Sequence, residues 1–156
     1  MNTASSLIEL AQASADDLQG LVALRIEAMR ESLERIGRFD SVRATERFAA
    51  GFSPEHTRHV VVANARVGFV VVKPQADHLL IDHLYIQPST QNQGVGTAVL
   101  VRVFAQADQA VLPLRVGALR ESASNRFYLR HGFVLVEEAD FDNYYVRPCK
   151  SAPQPA

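Results

Sequence analysis

The stretch His83–Phe104, HLYIQPSTQNQGVGTAVLVRVF, constrains the fold more than any other part of the sequence. An apolar run of strand character ends at Pro88, and a polar loop holding Gly94 and Gly96 follows. From about Gln93 to Ala107 apolar residues then recur at helical spacing. A second apolar run, LPLRV (Leu112–Val116), comes next. Strand, helix and strand in that order form a crossover, which calls for a parallel strand pair.

The rest of the chain reads differently. LIEL (Leu7–Leu10) is a short strand. Ser14 caps a long helix with Asp16 and Asp17 in its first turn, where the helix dipole favours negative charge. Leu18, Leu21, Val22, Ile26 and Met29 line one face, and the helix runs to about Ile36 with Gly37 as its stop. Asp40 caps a second helix to about Ala50, offering Val42, Phe48 and Ala49 for packing. His59–Ala63 and Arg66–Lys73 form a hairpin turning near Asn64. HLLIDHLYI (His78–Ile86) is the next strand. ESASNRFYLRH (Glu121–His131) is a short helix stopped by Gly132, and FVLVEE and NYYVR are closing strands. From Pro148 the tail is expected to be disordered. The predicted class is mixed α/β (α+β), with a mostly antiparallel sheet and one parallel pair.

A chain of 156 residues suits one domain, with its core from about Leu7 to Arg147 and a short tail, 148–156. A net charge of -1 gives no basic field for nucleic acid. Cys149 is the one cysteine, which excludes a disulfide framework within the chain. The first residues lack a basic, then apolar leader pattern, and no apolar run approaches the ~20 residues that span a bilayer. A soluble cytoplasmic protein is expected, without membrane or nucleic-acid partners.

The loop Gln91–Gly96 opens a helix, where backbone N–H groups and the positive dipole end favour an anion. It is not a P-loop, because no Gly-Lys-Ser/Thr follows, and it lacks the full dinucleotide fingerprint. A pyrophosphate site of another type remains, beside the plainer alternative of a glycine-rich helix start packed on a strand. Further on, SNRFYLRHGF places Asn125 and Tyr128 on one helical face ahead of Gly132-Phe133.

With those two elements in this order, the sequence resembles the GCN5-related N-acetyltransferase (GNAT) family. Gln91-Asn92-Gln93-Gly94-Val95-Gly96 fits the family's Arg/Gln-x-x-Gly-x-Gly/Ala motif, and Tyr128 stands four residues before Gly132, where the family carries a tyrosine before Gly-Phe. The resemblance implies an acetyl-CoA site with CoA as product and no metal. It implies that the backbone of Leu84, Tyr85 and Ile86 pairs with the pantetheine arm, that a bulge splays this strand from its parallel neighbour, and that Asn92, Gln93, Gly94, Val95, Gly96 and Thr97 take the pyrophosphate. The family often has an asparagine seven residues before its tyrosine. Glu121 stands there, and Asn125 is the nearby amide carried over as a cofactor contact.

The resemblance also implies direct attack of an amine on the thioester. Tyr128 is then the acid that protonates the departing thiolate. Leu80, Asp82, Leu84 and Ile86 share one strand face, so Asp82 is a carboxylate among apolar neighbours. It matches the position where polyamine and arylalkylamine branches of the family carry a proton-accepting Glu or His. His83 falls on the opposite face. His56, His59, His78 and His131 read as surface or capping residues, and no spacing suggests a metal site. Arg30, Arg38 and Phe39 lie in the segment facing the expected acceptor site, and Tyr144 and Tyr145 are candidates to wall it. The expected function is acetylation of a primary amine on a small molecule, compatible with a homodimer. A protein or peptide N-acetyltransferase and a non-catalytic acyl-CoA-binding module are the alternatives.

Overall fold

The computed structural model describes residues 8–35 and 41–150. Leu7, Ile36, Gly37, Arg38, Phe39 and Asp40 lie outside them, as do Ser151–Ala156. The strands are β1 (Ile8–Gln12), β2 (Thr57–Val62), β3 (Ala65–Pro74), β4 (Leu79–Ile86), β5 (Leu114–Leu119), β6 (Val134–Glu138) and β7 (Asp142–Arg147). The helices are α1 (Leu18–Arg35), α2 (Ser41–Ala50), α3 (Val95–Gln109) and α4 (Ser124–Arg130). The sheet order is β1-β2-β3-β4-β5-β7-β6. β4 and β5, the strands joined through α3, are the parallel pair. The pairs β1–β2, β2–β3, β5–β7 and β6–β7 are antiparallel.

Two compact units divide the chain. The first takes residues up to Val71 together with His83–Val99, the second Val72–Asp82 together with the chain from Leu100.

In the first unit, Ser14 sets the entry of α1. Its backbone N–H donates to Asp17 Oδ2 at 2.9 Å, and a 3-10 turn over Ala15–Asp17 runs into the helix. Asp17 Oδ2 is also 2.9 Å from His59 Nε2, and Arg66 donates to Asp17 Oδ1 at 3.2 Å. His59 is 4% exposed, so it is an interior strut and not the surface residue expected from sequence. Its strand position turns it inward beside Asp17, which supplies the partner a buried imidazole needs. Leu21, Phe48, Phe69 and Val71 form the core with Ala13, and Leu18, Val22 and Phe52 pack against it. On α2 only Phe48 of the three expected packing residues is buried. Val42 is 65% exposed and Ala49 is also exposed, because the helix meets the core through one narrow stripe.

The β2–β3 hairpin turns through Ala63 and Asn64, both with positive φ (51° and 67°), a pairing that matches the twist of the flanking strands. The register then shifts: Val60 faces Gly68 while Val61 faces Arg66, so Val67 is the extra residue of a bulge in β3.

In the second unit the parallel ladder is Leu79↔Leu114, Leu80↔Arg115 and Ile81↔Val116. β5 goes on pairing with β7 as far as Leu119↔Asp142, which carries the strand past the Val116 expected from sequence. Arg147, 5% exposed, makes a two-pronged contact with Asp108 at 3.0 and 3.1 Å and stacks 4.1 Å from the Phe104 ring. The backbone N–H of Lys150 donates to the same Asp108 at 2.9 Å. Pro148–Lys150 are therefore placed, where disorder was expected, because Asp108 anchors them.

Candidate active site

β4 ends in a segment whose carbonyls and amides are tied down one by one. Gln87 N–H donates to Val67 O at 2.8 Å, fixing the end of β4 to the bulge of β3. Gly68 lets the strands approach there: a Cβ on it would collide with the Tyr85 carbonyl oxygen and come within 2.8 Å of Ile86 Cδ1. Pro88–Thr90 make a 3-10 turn, braced by Gln87 Nε2 on Thr90 Oγ1 at 3.0 Å. Gln91 Nε2 reaches back to the Ile86 carbonyl at 2.9 Å. The loop is thus held to the strand end by an amide side chain.

Asn92 (φ 64°) and Gly94 (φ 80°) are both left-handed, which delays the start of α3 to Val95 from the expected Gln93. Ala98 N–H to Gly94 O, 3.0 Å, is the first helical bond. The amides of Val95 and Gly96 precede that ladder, as the first amides of a helix do. Left-handed residues interleaved in such a loop turn backbone N–H groups toward a common concavity. No charged side chain occurs from Gln87 to Val101, so nothing acidic opposes an anion there. Val95 is buried, Leu84, Tyr85, Ile86, Gly94, Gly96 and Thr97 are half-buried, and Asn92 and Gln93 are exposed. These residues fit a pyrophosphate at the helix start and an extended chain beside the strand end.

The other face of β4 in this unit carries His83 and Tyr85. Their side chains meet, Nδ1 to hydroxyl, at 3.2 Å. Phe48 stands edge-on to His83 at 4.9 Å, and Phe69 is 5.4 Å from Tyr85. The Arg25 guanidinium lies 6.0 Å from the Phe48 ring and 5.9 Å from that of Tyr85.

In the second unit, Asp82 sits 3.0 Å from Lys73 Nζ, with their side chains 34% and 23% exposed respectively. The buried residues at the start of β4 are Leu79 and Ile81, so Asp82 stands on the more open face of the strand, beside half-buried Leu80. Tyr128 is 4% exposed, held among the rings of Phe127 (5.4 Å), Phe133 (5.2 Å) and Tyr145 (6.2 Å). Gly132 (φ 91°) ends the turn after α4, and Phe133 N–H donates to Tyr128 O at 3.1 Å. Asn125 is engaged at both ends of its amide. Nδ2 donates to Leu119 O (2.8 Å) and Ser122 O (2.9 Å), and Oδ1 accepts from Tyr145 Oη (2.7 Å) and Asn143 Nδ2 (2.9 Å). Burial pushes the Tyr145 phenol above its ordinary value, which keeps that hydroxyl a donor. Tyr145 is buried, and Tyr144 is 40% exposed. Arg30 is exposed on α1, as a solvated helix face would be.

Sequence reasoning placed Gln91 at the head of the glycine motif without its contact to Ile86, and did not single out Gly68 or the His83–Tyr85 contact. A lone glycine inside the strand pattern ARVGFVVV was the available signal for close backbone approach. Among the described residues no group of three or more His, Cys, Asp or Glu is arranged to hold a metal. No described helix is long and apolar enough to cross a membrane.

The family model described as "Acetyltransferase (GNAT) domain" matches residues 56–135, more than half of the chain, and the protein belongs to that family. It is an N-acetyltransferase whose donor is acetyl-CoA. The fold is similar to that of the PaiA N-acetyltransferase from Thermoplasma acidophilum in complex with coenzyme A, with TM-score 0.75 and 17% identity over 90% of this chain and 98% of that one. It is similar to the ribosomal-protein-S18-alanine N-acetyltransferase from Escherichia coli (TM-score 0.67, 16% identity, 96% and 98% covered). It also resembles part of N-acetylglutamate synthase from Neisseria gonorrhoeae complexed with coenzyme A and N-acetyl-glutamate (TM-score 0.62, 18% identity), covering 90% of this chain and 34% of that one. No curated protein sequence matches the chain.

Proposed function

We propose that the protein, acting as one N-acetyltransferase domain, transfers acetyl to the primary amine of a small molecule. The observation that carries the donor half is the loop Gln91–Gly96, clamped to Ile86 and opening α3 with two left-handed residues. Leu84, Tyr85 and Ile86 align the pantetheine arm, and Asn92–Thr97 hold the pyrophosphate. When bound, acetyl-CoA supplies a thioester activated for attack by an amine. Tyr128 gives its hydroxyl proton to the departing sulfur, since a phenol keeps its proton at neutral pH. Asn125, with its amide already engaged, contributes to the cofactor site by fixing α4. Asp82 carries less of the reading: its carboxylate is engaged by Lys73 on an open face, which favours a structural charge pair over a proton acceptor.

A compact acceptor is favoured by the helix-side face of β4, where Phe48, Phe69 and Arg25 crowd His83 and Tyr85. Folds of this kind serve a protein alanine in one neighbour and glutamate in another, so the acceptor needs its own test. That test is thiol release from acetyl-CoA against a pool of aliphatic amines, arylalkylamines, amino acids and peptides. Turnover concentrated in the small amines is expected. Turnover of peptides alone would make this a protein N-acetyltransferase, and thiol release from none a non-catalytic CoA binder.

A further inference from the structure

We propose that Tyr85 and His83 form a two-residue proton relay that deprotonates the acceptor amine, an inference that rests on the acetyltransferase reading above. An amine with an ordinary pKa is an ammonium ion at neutral pH and cannot attack until a base removes a proton. An imidazole titrates near neutrality and suits that task. Three observations place one here. His83 and Tyr85 are alternate residues of β4, so both project from the same face. The Tyr85 hydroxyl contacts His83 Nδ1 at 3.2 Å, which is a ready path for a proton. Tyr85 directly precedes Ile86, at the end of the strand assigned to the pantetheine arm, so its hydroxyl belongs to a residue of that segment while its acceptor is set further back.

The surroundings suit a relay with a fixed geometry. Phe48 from α2 and Phe69 from β3 wall the two rings, both buried and neither titratable. Arg25 from α1 is the charged group near the pair among the described contacts, 5.9 Å from the Tyr85 ring. His83 is half-buried, so a proton taken up by its ring can pass on to solvent. Asp82 and Lys73 pair with each other, and Asp82 projects from the opposite face of the strand.

A proton leaves the ammonium for the Tyr85 oxygen while the Tyr85 hydroxyl proton moves to His83 Nδ1. The freed lone pair forms the N–C bond, and the C–S bond breaks. The second amine proton replaces the one that Tyr128 gives to sulfur. The net release is one proton, through His83.

The test uses the full chain and whichever member of the amine pool is turned over fastest. His83→Gln and Tyr85→Phe should each lower kcat/KM by about 10²-fold below the pKa of the amine. The double variant should fall no further than the singles, because the two act as one unit. The acidic limb of the pH profile should disappear in His83→Gln, and added imidazole should restore activity to His83→Ala. The CoA-induced rise in melting temperature should survive in all variants, which shows that they fold and keep the donor site. Additive losses, an unchanged acidic limb or no imidazole rescue with that rise intact would overturn the relay and leave the acetyltransferase reading standing. No thiol release from any pool member with the wild-type protein would overturn both.

Discussion

Gln91 and Asn125 do similar jobs in different units. Each is an amide side chain that pins the chain where a strand gives way to a helix. Gln91 spends one exposed hydrogen bond, on Ile86 O. Asn125 spends both ends of its amide on four partly buried partners. The glycine loop therefore keeps its backbone for a ligand, while the start of α4 consumes its polar groups internally to hold a short helix that carries Tyr128. Seven residues make too short a helix to persist without such tertiary anchoring.

The largest effect should come from the residue that α4 carries. Tyr128→Phe keeps the ring in its aromatic nest and removes the hydroxyl, so kcat should fall by ~10²–10⁴-fold while CoA affinity holds. An unchanged single-turnover rate would show that the sulfur leaves without help from this residue. Next comes the anchor itself. Asn125→Ala leaves the buried Tyr145 hydroxyl without that acceptor and should cost about 1–3 kcal/mol in chemical denaturation. A stability change within error would mean that α4 is held by its rings alone. Gln91→Ala should be milder, because its bond is exposed: CoA affinity should weaken by a few-fold, about 0.5–1.5 kcal/mol, with little change in stability. If stability fell as far as in Asn125→Ala, the contrast between the two anchors would be lost.

Acid sharpens the comparison at other anchors. In the first unit Asp17 is held well below the usual carboxylate range, chiefly by its hydrogen bond with His59. In the second, Asp108 is held down chiefly by Arg147. Both bind a proton less readily folded than unfolded. Their stabilisation is complete above the unfolded value, roughly pH 4, and is lost as pH falls toward the depressed folded values. Asp17→Asn and Asp108→Asn should each be less stable than wild type at pH 7 and converge on it in acid. A constant difference at every pH would assign the loss to packing.

The smallest effect is expected at Asp82. Asp82→Asn should change activity by less than a few-fold, in keeping with the modest worth of a partly exposed ion pair. A loss that grows at low pH would restore Asp82 as the proton acceptor and count against His83 and Tyr85.

Most of the fold was legible because its signals are local. Hydrophobic periodicity located the strands and helices, and the order strand, Gly94–Gly96 loop, helix and strand required the parallel β4–β5 pair. Boundaries moved where the backbone changed hand: the positive φ of Asn92 and Gly94 postponed α3, and that of Glu121 (72°) precedes the late start of α4. What sequence could not show depends on partners distant in the chain. His59 looked like a surface residue until Asp17 arrived beside it, 42 positions earlier. Asp82 looked stranded on an apolar face until Lys73 proved to be its neighbour. Gly68 gave a signal of close approach but not of what approaches, which is the Tyr85 carbonyl.

CoA binding tests the glycine loop as the donor site most directly. Melting curves of the wild-type protein should shift upward with CoA, since a ligand at 100 times its Kd adds about 2.7 kcal/mol to the folded state. Gly96→Val, which sets a branched side chain where the helix start should meet the pyrophosphate, should melt normally and show no shift. A wild-type protein that saturating CoA leaves unmoved, or a Gly96→Val variant that shifts as far as wild type, would contradict the assignment of this loop.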